Sequence, residues 1–269
     1  MTWWQSIVLG LLQGLTEFLP VSSSGHLTIG KEVLGVEASS DLVFEIVVHA
    51  ATVLATIIVF RKQVGRLFTG FFKFKYNDET DYVCKILVSL IPIFIVGMFF
   101  KDSVEALFSS LYVVGIALIV TSLLLFFSDK ASSSTIKKAG CARNGISYLQ
   151  AFIIGVGQAI AVIPGLSRSG TTISTGLLVG VKRDVVAQFS FLMVIIPILG
   201  EAILSLAGGE MSSSTVGVLP LCLGFISAFL SGLFACKVMI ALVKKAKLKW
   251  FALYCAVVGV AVIVSKLAA

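Results

Sequence analysis

Two stretches of this chain combine residue types suited to phosphate chemistry. The first runs Gln13-Gly14-Leu15-Thr16-Glu17-Phe18-Leu19-Pro20-Val21-Ser22-Ser23-Ser24-Gly25-His26. The second runs from Gln158 through Pro164-Gly165-Leu166-Ser167-Arg168-Ser169-Gly170-Thr171-Thr172. A shift of 145 residues superimposes Gln13 on Gln158, Ser22 on Ser167, Ser24 on Ser169 and Gly25 on Gly170. A helix that starts at Ser22 or Ser167 presents unpaired N–H groups and a partial positive charge, which suit an anion. Ser and Gly there let backbone approach phosphate closely. Two such ends facing each other would cradle a diphosphate, and Arg168 would add a planar fork of donors.

The first stretch also carries reactive groups. Gln13 and Glu17 are four residues apart and share a helix face. His26 follows the serine run, so a hydroxyl beside an imidazole could form an activated nucleophile with a carboxylate orienting the base. Alternatively, Glu17 could hold a divalent cation or activate water. Plainer readings stand beside these. Serines at a break cap helices or let them pack closely, and Gln158 could be interhelical glue. Glu17 and His26 could merely neutralise Arg168. His49, in Val47-Val48-His49-Ala50-Ala51, and Glu45 one turn earlier face either a neighbouring helix or the same cavity. Asp78, Glu79 and Asp81 read as solvated residues of a polar loop.

What must position these groups is a membrane. The chain has 269 residues, 58% hydrophobic and 13% charged, with a mean hydropathy of +1.04. So apolar a chain lacks the polar surface to cover a soluble core, and it reads as an all-α multi-spanning protein. The net charge of +7 is not a nucleic-acid signal, because the basic residues lie in short clusters between apolar runs. The five cysteines have no metal spacing and read as apolar fillers. Gln13 and Glu17 inside the first apolar stretch, with no basic segment before it, speak against a cleaved signal peptide.

Six stretches are long enough to span, near 41–61, 84–101, 110–128, 185–207, 216–237 and 250–267. The two broken stretches, 2–35 and 146–181, have halves too short to span and read as re-entrant hairpins. Basic clusters at 61–85, 129–145, 182–183 and 237–249 belong on the cytoplasmic side, opposite loops near 36–40, 102–109 and 208–215. Both termini then lie outside. The chain becomes one membrane domain of two copies, 1–128 and 146–269, each a hairpin plus three spans. An odd number of spans inverts the second copy and brings the breaks together near the midplane. Outside the hairpins the repeat is faint, with Phe44 matching Phe189.

These residues resemble a known family, the bacitracin-resistance type of undecaprenyl-diphosphate phosphatase. Its first signature is Glu or Gln, three residues, Glu, then Pro-Val-Ser-Ser-x-Gly-His; the second is Pro-Gly-x-Ser-Arg-Ser-x-x-Thr. The resemblance covers essentially the whole chain. It implies a plasma-membrane hydrolase that converts undecaprenyl diphosphate to the monophosphate carrier of cell-wall synthesis, with a site open to the outer face. The family's functional positions fall on Gln13, Glu17, Ser22, Ser23, His26, Ser167, Arg168 and Thr172, and His49 falls where members often carry Gln or His. Gln13 replaces a common Glu, which removes one carboxylate from any metal site. The expected roles are Glu17, Ser23, His26 and Arg168 in catalysis. Gln13, Ser22, Ser167, Ser169, Gly170, Thr172 and His49 would bind substrate, and Glu17 could hold Mg2+ or Ca2+. The partners are a polyprenyl diphosphate and membrane lipids, not nucleic acid, with a homodimer left open.

Two rival readings compete with this one. The phosphatidic-acid type of lipid phosphatase needs a His at position 174 and an Asp at 178, where this chain has Ser174 and Leu178. An inverted-repeat transporter or flippase of a polyprenyl phosphate would share the fold.

Overall fold

Thr2 and Ser147 each stand three residues before a glutamine, the spacing of a capping box. A computed structural model describes residues 1–36, 42–107, 110–135, 142–208, 216–245 and 247–268. In it the Thr2 N–H donates to Gln5 Oε1 (2.7 Å) and the Ser147 N–H to Gln150 Oε1 (2.9 Å). These boxes open α1 (Trp3–Glu17) and α8 (Tyr148–Ile160). After each break a second short helix follows, α2 (Ser23–Val33) and α9 (Arg168–Leu178). The same glutamines tie each hairpin shut: Gln5 Nε2 donates to the Leu34 carbonyl and Gln150 Nε2 to the Val179 carbonyl, both at 2.9 Å. Every member of the second set lies 145 residues after its counterpart in the first.

All regular structure in the described residues is helical. Five helical stretches are long and apolar enough to cross a membrane, six if α3 (Leu42–Val59) is counted with α4 (Arg61–Phe71), which bends from it by 82°. The others are α5 (Asp78–Phe99), α7 (Leu111–Thr135), α10 (Arg183–Met193) with α11 (Ile195–Ala207), α12 (Val218–Lys245) and α13 (Lys249–Ala268). A short α6 (Lys101–Leu107) follows α5. The break between α10 and α11 falls just before Pro197, which has no N–H to give the Met193 carbonyl. Exposed Phe94, Met98, Phe127, Phe234 and Val257 give the outer surface the apolar character that lipid requires and water does not tolerate.

The hairpins pack on spans from the opposite half of the chain: α1 lies along α12 and α8 along α5. Small residues make this close approach feasible. A Cβ on Gly10 would sit 2.4 Å from the Gly224 carbonyl oxygen, and one on Gly155 would sit 2.2 Å from that of Ser89. The last span, α13, packs on α7. Phe44 and Phe189, which match outside the hairpins, are both fully buried.

Polar contacts gather at the two ends. At one, Arg143 meets Asp78, Lys85 donates to the Arg143 carbonyl, and Arg183 meets Asp129. At the other, Lys31 meets Glu45, Lys266 meets Glu32, and the Tyr112 hydroxyl donates to the Lys266 carbonyl.

Two expectations change. The segment 61–85 is not one polar loop: Arg61–Phe71 forms α4, and α5 begins at Asp78. Asp81 is not simply solvated. It and Lys85 are buried one helical turn apart and joined at 2.5 Å, with Tyr76 and Asn144 also donating to the carboxylate. Lys137, Lys138, Cys141 and most of the loops 36–40 and 208–215 lie outside the described residues.

Candidate active site

The site forms where the hairpins break. Helix α1 ends at Glu17, the chain turns through Pro20, and Ser22 takes a left-handed φ of 70° before α2 begins. Before α9 the turn is made at Gly165, φ 90°, where a Cβ would lie 2.5 Å from the Val114 carbonyl oxygen. Only glycine fits both the conformation and the space. The caps match: Ser22 Oγ accepts from the Gly25 N–H (3.2 Å) and Ser167 Oγ from the Gly170 N–H (3.1 Å).

The breaks touch. Ser169 Oγ donates to the Leu19 carbonyl (3.0 Å). A Cβ on Gly25 would be 3.0 Å from Gly165 Cα, and one on Gly170 would be 3.4 Å from Pro20 Cβ. Across this seam Arg168 Nη2 reaches Glu17 Oε1 at 2.8 Å. The other carboxylate oxygen, Oε2, accepts from Ser23 Oγ (2.6 Å) and Gln13 Nε2 (2.7 Å), with His49 Nε2 at 3.8 Å. Glu17 is thus the hub for four side chains from four helices, α1, α2, α3 and α9. A buried carboxylate is tolerable only with such company.

Other expected residues stand apart from this hub. His26 does not touch Ser23; its Nδ1 lies 2.7 Å from the Ser22 carbonyl and its Nε2 2.7 Å from the Tyr254 hydroxyl. The Thr172 hydroxyl is buried between the Arg168 carbonyl (2.8 Å) and Ser190 Oγ (2.6 Å), so it braces the turn that carries Arg168. The Ser22 and Ser167 hydroxyls are committed to their caps. Gln158 is buried without a hydrogen-bond partner, and one oxygen of Gln13 likewise. Glu45 pairs with Lys31 at the chain-end side.

A cleft opens beside the hub, lined by Glu17, Phe18, Thr52, Thr56, Arg168, Ser169, Ser190 and Phe191, among others. Thr52, Thr56, Ser190 and Tyr254 were not singled out from sequence. A signal did exist for two of them. Glu45, His49, Thr52 and Thr56 recur at helical spacing in an otherwise apolar span, so they form one polar stripe. Ser190 and Tyr254 sit alone among apolar residues and give no such pattern.

No group of three or more His, Cys, Asp or Glu among the described residues could cage a metal. Glu17 is the one carboxylate in the hub, and both its oxygens are engaged. A divalent ion would therefore need oxygens from a phosphate as well, as Mg2+ commonly does.

The model of the bacitracin resistance protein BacA family matches residues 6–261. The chain is similar to an undecaprenyl-diphosphatase of Bacteroides fragilis, with 54% identity over 268 residues, 98% of each chain. One from Bacteroides thetaiotaomicron is 52% identical over 99% of this chain and all of its own. One from Methanococcus vannielii is 39% identical over 93% of this chain and 95% of its own.

Proposed function

This chain belongs to the bacitracin resistance protein BacA family, and from that premise we propose how its paired breaks act on a lipid diphosphate. It is a multi-pass membrane protein and an undecaprenyl-diphosphatase, a hydrolase that releases phosphate from undecaprenyl diphosphate and returns the monophosphate carrier to cell-wall synthesis. Recycling that carrier is what links the family to bacitracin resistance.

The architecture we infer is six spans and two re-entrant hairpins in an inverted repeat, 1–128 and 146–269. Several observations support it: the identical closure of each hairpin by Gln5 and Gln150, the buried pair Phe44 and Phe189, and polar ends that separate residues 31, 45 and 266 from residues 78, 85, 143 and 183. The basic clusters put the second set in the cytoplasm. The first hairpin then opens outward, both termini lie outside, and the substrate reaches the site from the outer face.

The observation that carries the mechanism is Glu17 held between Ser23 and Arg168. Phosphoryl transfer needs mainly positioning and charge stabilisation. The incoming diphosphate competes for the Arg168 fork, which spreads over its oxygens, and Ser169 and the two helix N-termini complete the cradle. Glu17, relieved of the arginine, takes the proton of the hydroxyl already bonded to it. Ser23 Oγ then attacks the terminal phosphorus, the bridging P–O bond breaks, and undecaprenyl phosphate leaves. Glu17 passes that proton to the departing undecaprenyl phosphate and, ionised again, takes a proton from water. The water oxygen attacks the seryl phosphate, the P–O bond to Ser23 breaks, the proton returns to Ser23 Oγ and inorganic phosphate leaves. Thr172 keeps the Arg168 turn in place, and Gln13 and His49 hold Glu17 in register. Glu17 is the residue that would hold a divalent cation, Mg2+ or Ca2+, which would neutralise phosphate charge when bound.

The test is inorganic phosphate release from undecaprenyl diphosphate in detergent. Wild type should release phosphate, and Glu17→Ala and Arg168→Ala should fold but release none. Near-normal turnover in either variant removes that residue. No release by wild type, with protein-dependent movement of the lipid across vesicles, would favour a carrier.

A further inference from the structure

His26 is turned away from the Glu17 hub, yet it is not idle. The Ser22 carbonyl can only accept, so the imidazole proton sits on Nδ1, 2.7 Å away. Nε2 then carries the lone pair, and the Tyr254 hydroxyl, 2.7 Å from it, must donate. The two rings stack, with centroids 5.6 Å apart and planes within 9°. The next residue on α13, Cys255, directs its thiol to the Pro20 carbonyl at 3.6 Å. One turn of the last span therefore grips the first break at two points.

That break needs a grip. Ser22 is a non-glycine residue at φ 70°, a conformation that persists only where surroundings impose it. Its carbonyl receives the His26 ring N–H, and its neighbour Ser23 presents Oγ to Glu17.

We propose that Tyr254 is a positioning residue of the diphosphatase: acting through His26, it fixes the Ser22 turn and so aims the Ser23 hydroxyl at Glu17. The proposal rests on the reading of Ser23 and Glu17 given above. Without the phenol, Nε2 loses its partner, the imidazole gains rotational freedom, and the left-handed turn loosens. Substrate binding by Arg168 is untouched, so the defect falls on the chemical step.

The experiment uses full-length protein, undecaprenyl diphosphate, and Tyr254→Phe, which keeps the ring and removes only the hydroxyl. Expected are a roughly tenfold loss in kcat with KM within about twofold, and little further loss when Tyr254→Phe is added to His26→Gln, since coupled residues are non-additive. The chain has two histidines, so 15N-histidine spectra, assigned with His49→Gln, read the bond directly. The His26 Nε2 resonance should shift in Tyr254→Phe while Nδ1 stays protonated. An unshifted Nε2, an unchanged kcat, or equal losses in both backgrounds overturns the proposal. A wild type that releases no phosphate would instead overturn the diphosphatase reading, with the spectra still reporting the bond.

Discussion

Glu17 and Arg168, 151 residues apart in the chain, meet at 2.8 Å where the two broken helices touch. The carboxylate is nearly buried and the guanidinium partly so, and the pair joins the two breaks. In the free protein each neutralises the other. In the proposed mechanism a diphosphate gives the arginine a better partner and frees the carboxylate to act as a base.

Removing Glu17 leaves a partly buried guanidinium uncompensated, which costs less than the roughly 3–5 kcal/mol of a fully buried pair. Glu17→Gln should thus lower thermal stability in detergent as well as abolish phosphate release, and the double variant Glu17→Gln/Arg168→Gln should regain much of the stability without activity. Equal melting temperatures for single and double variants would show that the pair does not clasp the breaks.

Arg168→Lys keeps the charge and loses the planar fork. Removing one oriented donor from a charge-stabilising site typically costs about 10²–10³ in rate, so kcat/KM should fall by about that factor. A loss under about fivefold would mean that a point charge suffices.

Ser23→Ala should lower kcat by about 10³ or more, because the hydroxyl bonded to Glu17 is gone and water must take its place. Capture of a phosphoserine at position 23 from a quenched reaction would establish the covalent step. Full activity in Ser23→Ala would leave water as the direct nucleophile.

At the opposite end from Lys266, the buried Asp81–Lys85 pair joins α5 to the segment before α8 through Arg143 and Asn144. Lys85→Met should destabilise by roughly 3–5 kcal/mol, while Asp81→Asn/Lys85→Met together should cost far less. Turnover per folded molecule should be unchanged, because the pair is absent from the hub. A selective loss of kcat would show coupling between this end and the breaks.

Single cysteines at Lys62 and Lys266, in a chain cleared of its native cysteines, should react with an impermeant maleimide from opposite sides of intact cells. Lys266→Cys should label from outside and Lys62→Cys only after the membrane is opened. Labelling of both from one side would refute the inverted arrangement.

Much of this was legible in the chain itself. Polar and charged residues at membrane depth cannot face lipid, so Glu17, His26 and Arg168 had to turn inward, and the repeated serine caps showed where two helices restart. The hydrophobic runs marked the spans, because transfer of a helix into lipid is set mainly by that helix's own apolar content. Partner choice was another matter. Spacing tells which face of a helix a side chain occupies, but not which distant helix arrives at that face. Hence His26 and Ser23, three residues apart and paired on paper, look to Tyr254 and Glu17 instead, and Asp81 proves to be packed rather than solvated, while its neighbour Asp78 stays exposed. Those choices depend on how α13, α9 and α5 cross the hairpins, and crossings are settled by the packing of whole surfaces, which no local run of residues contains.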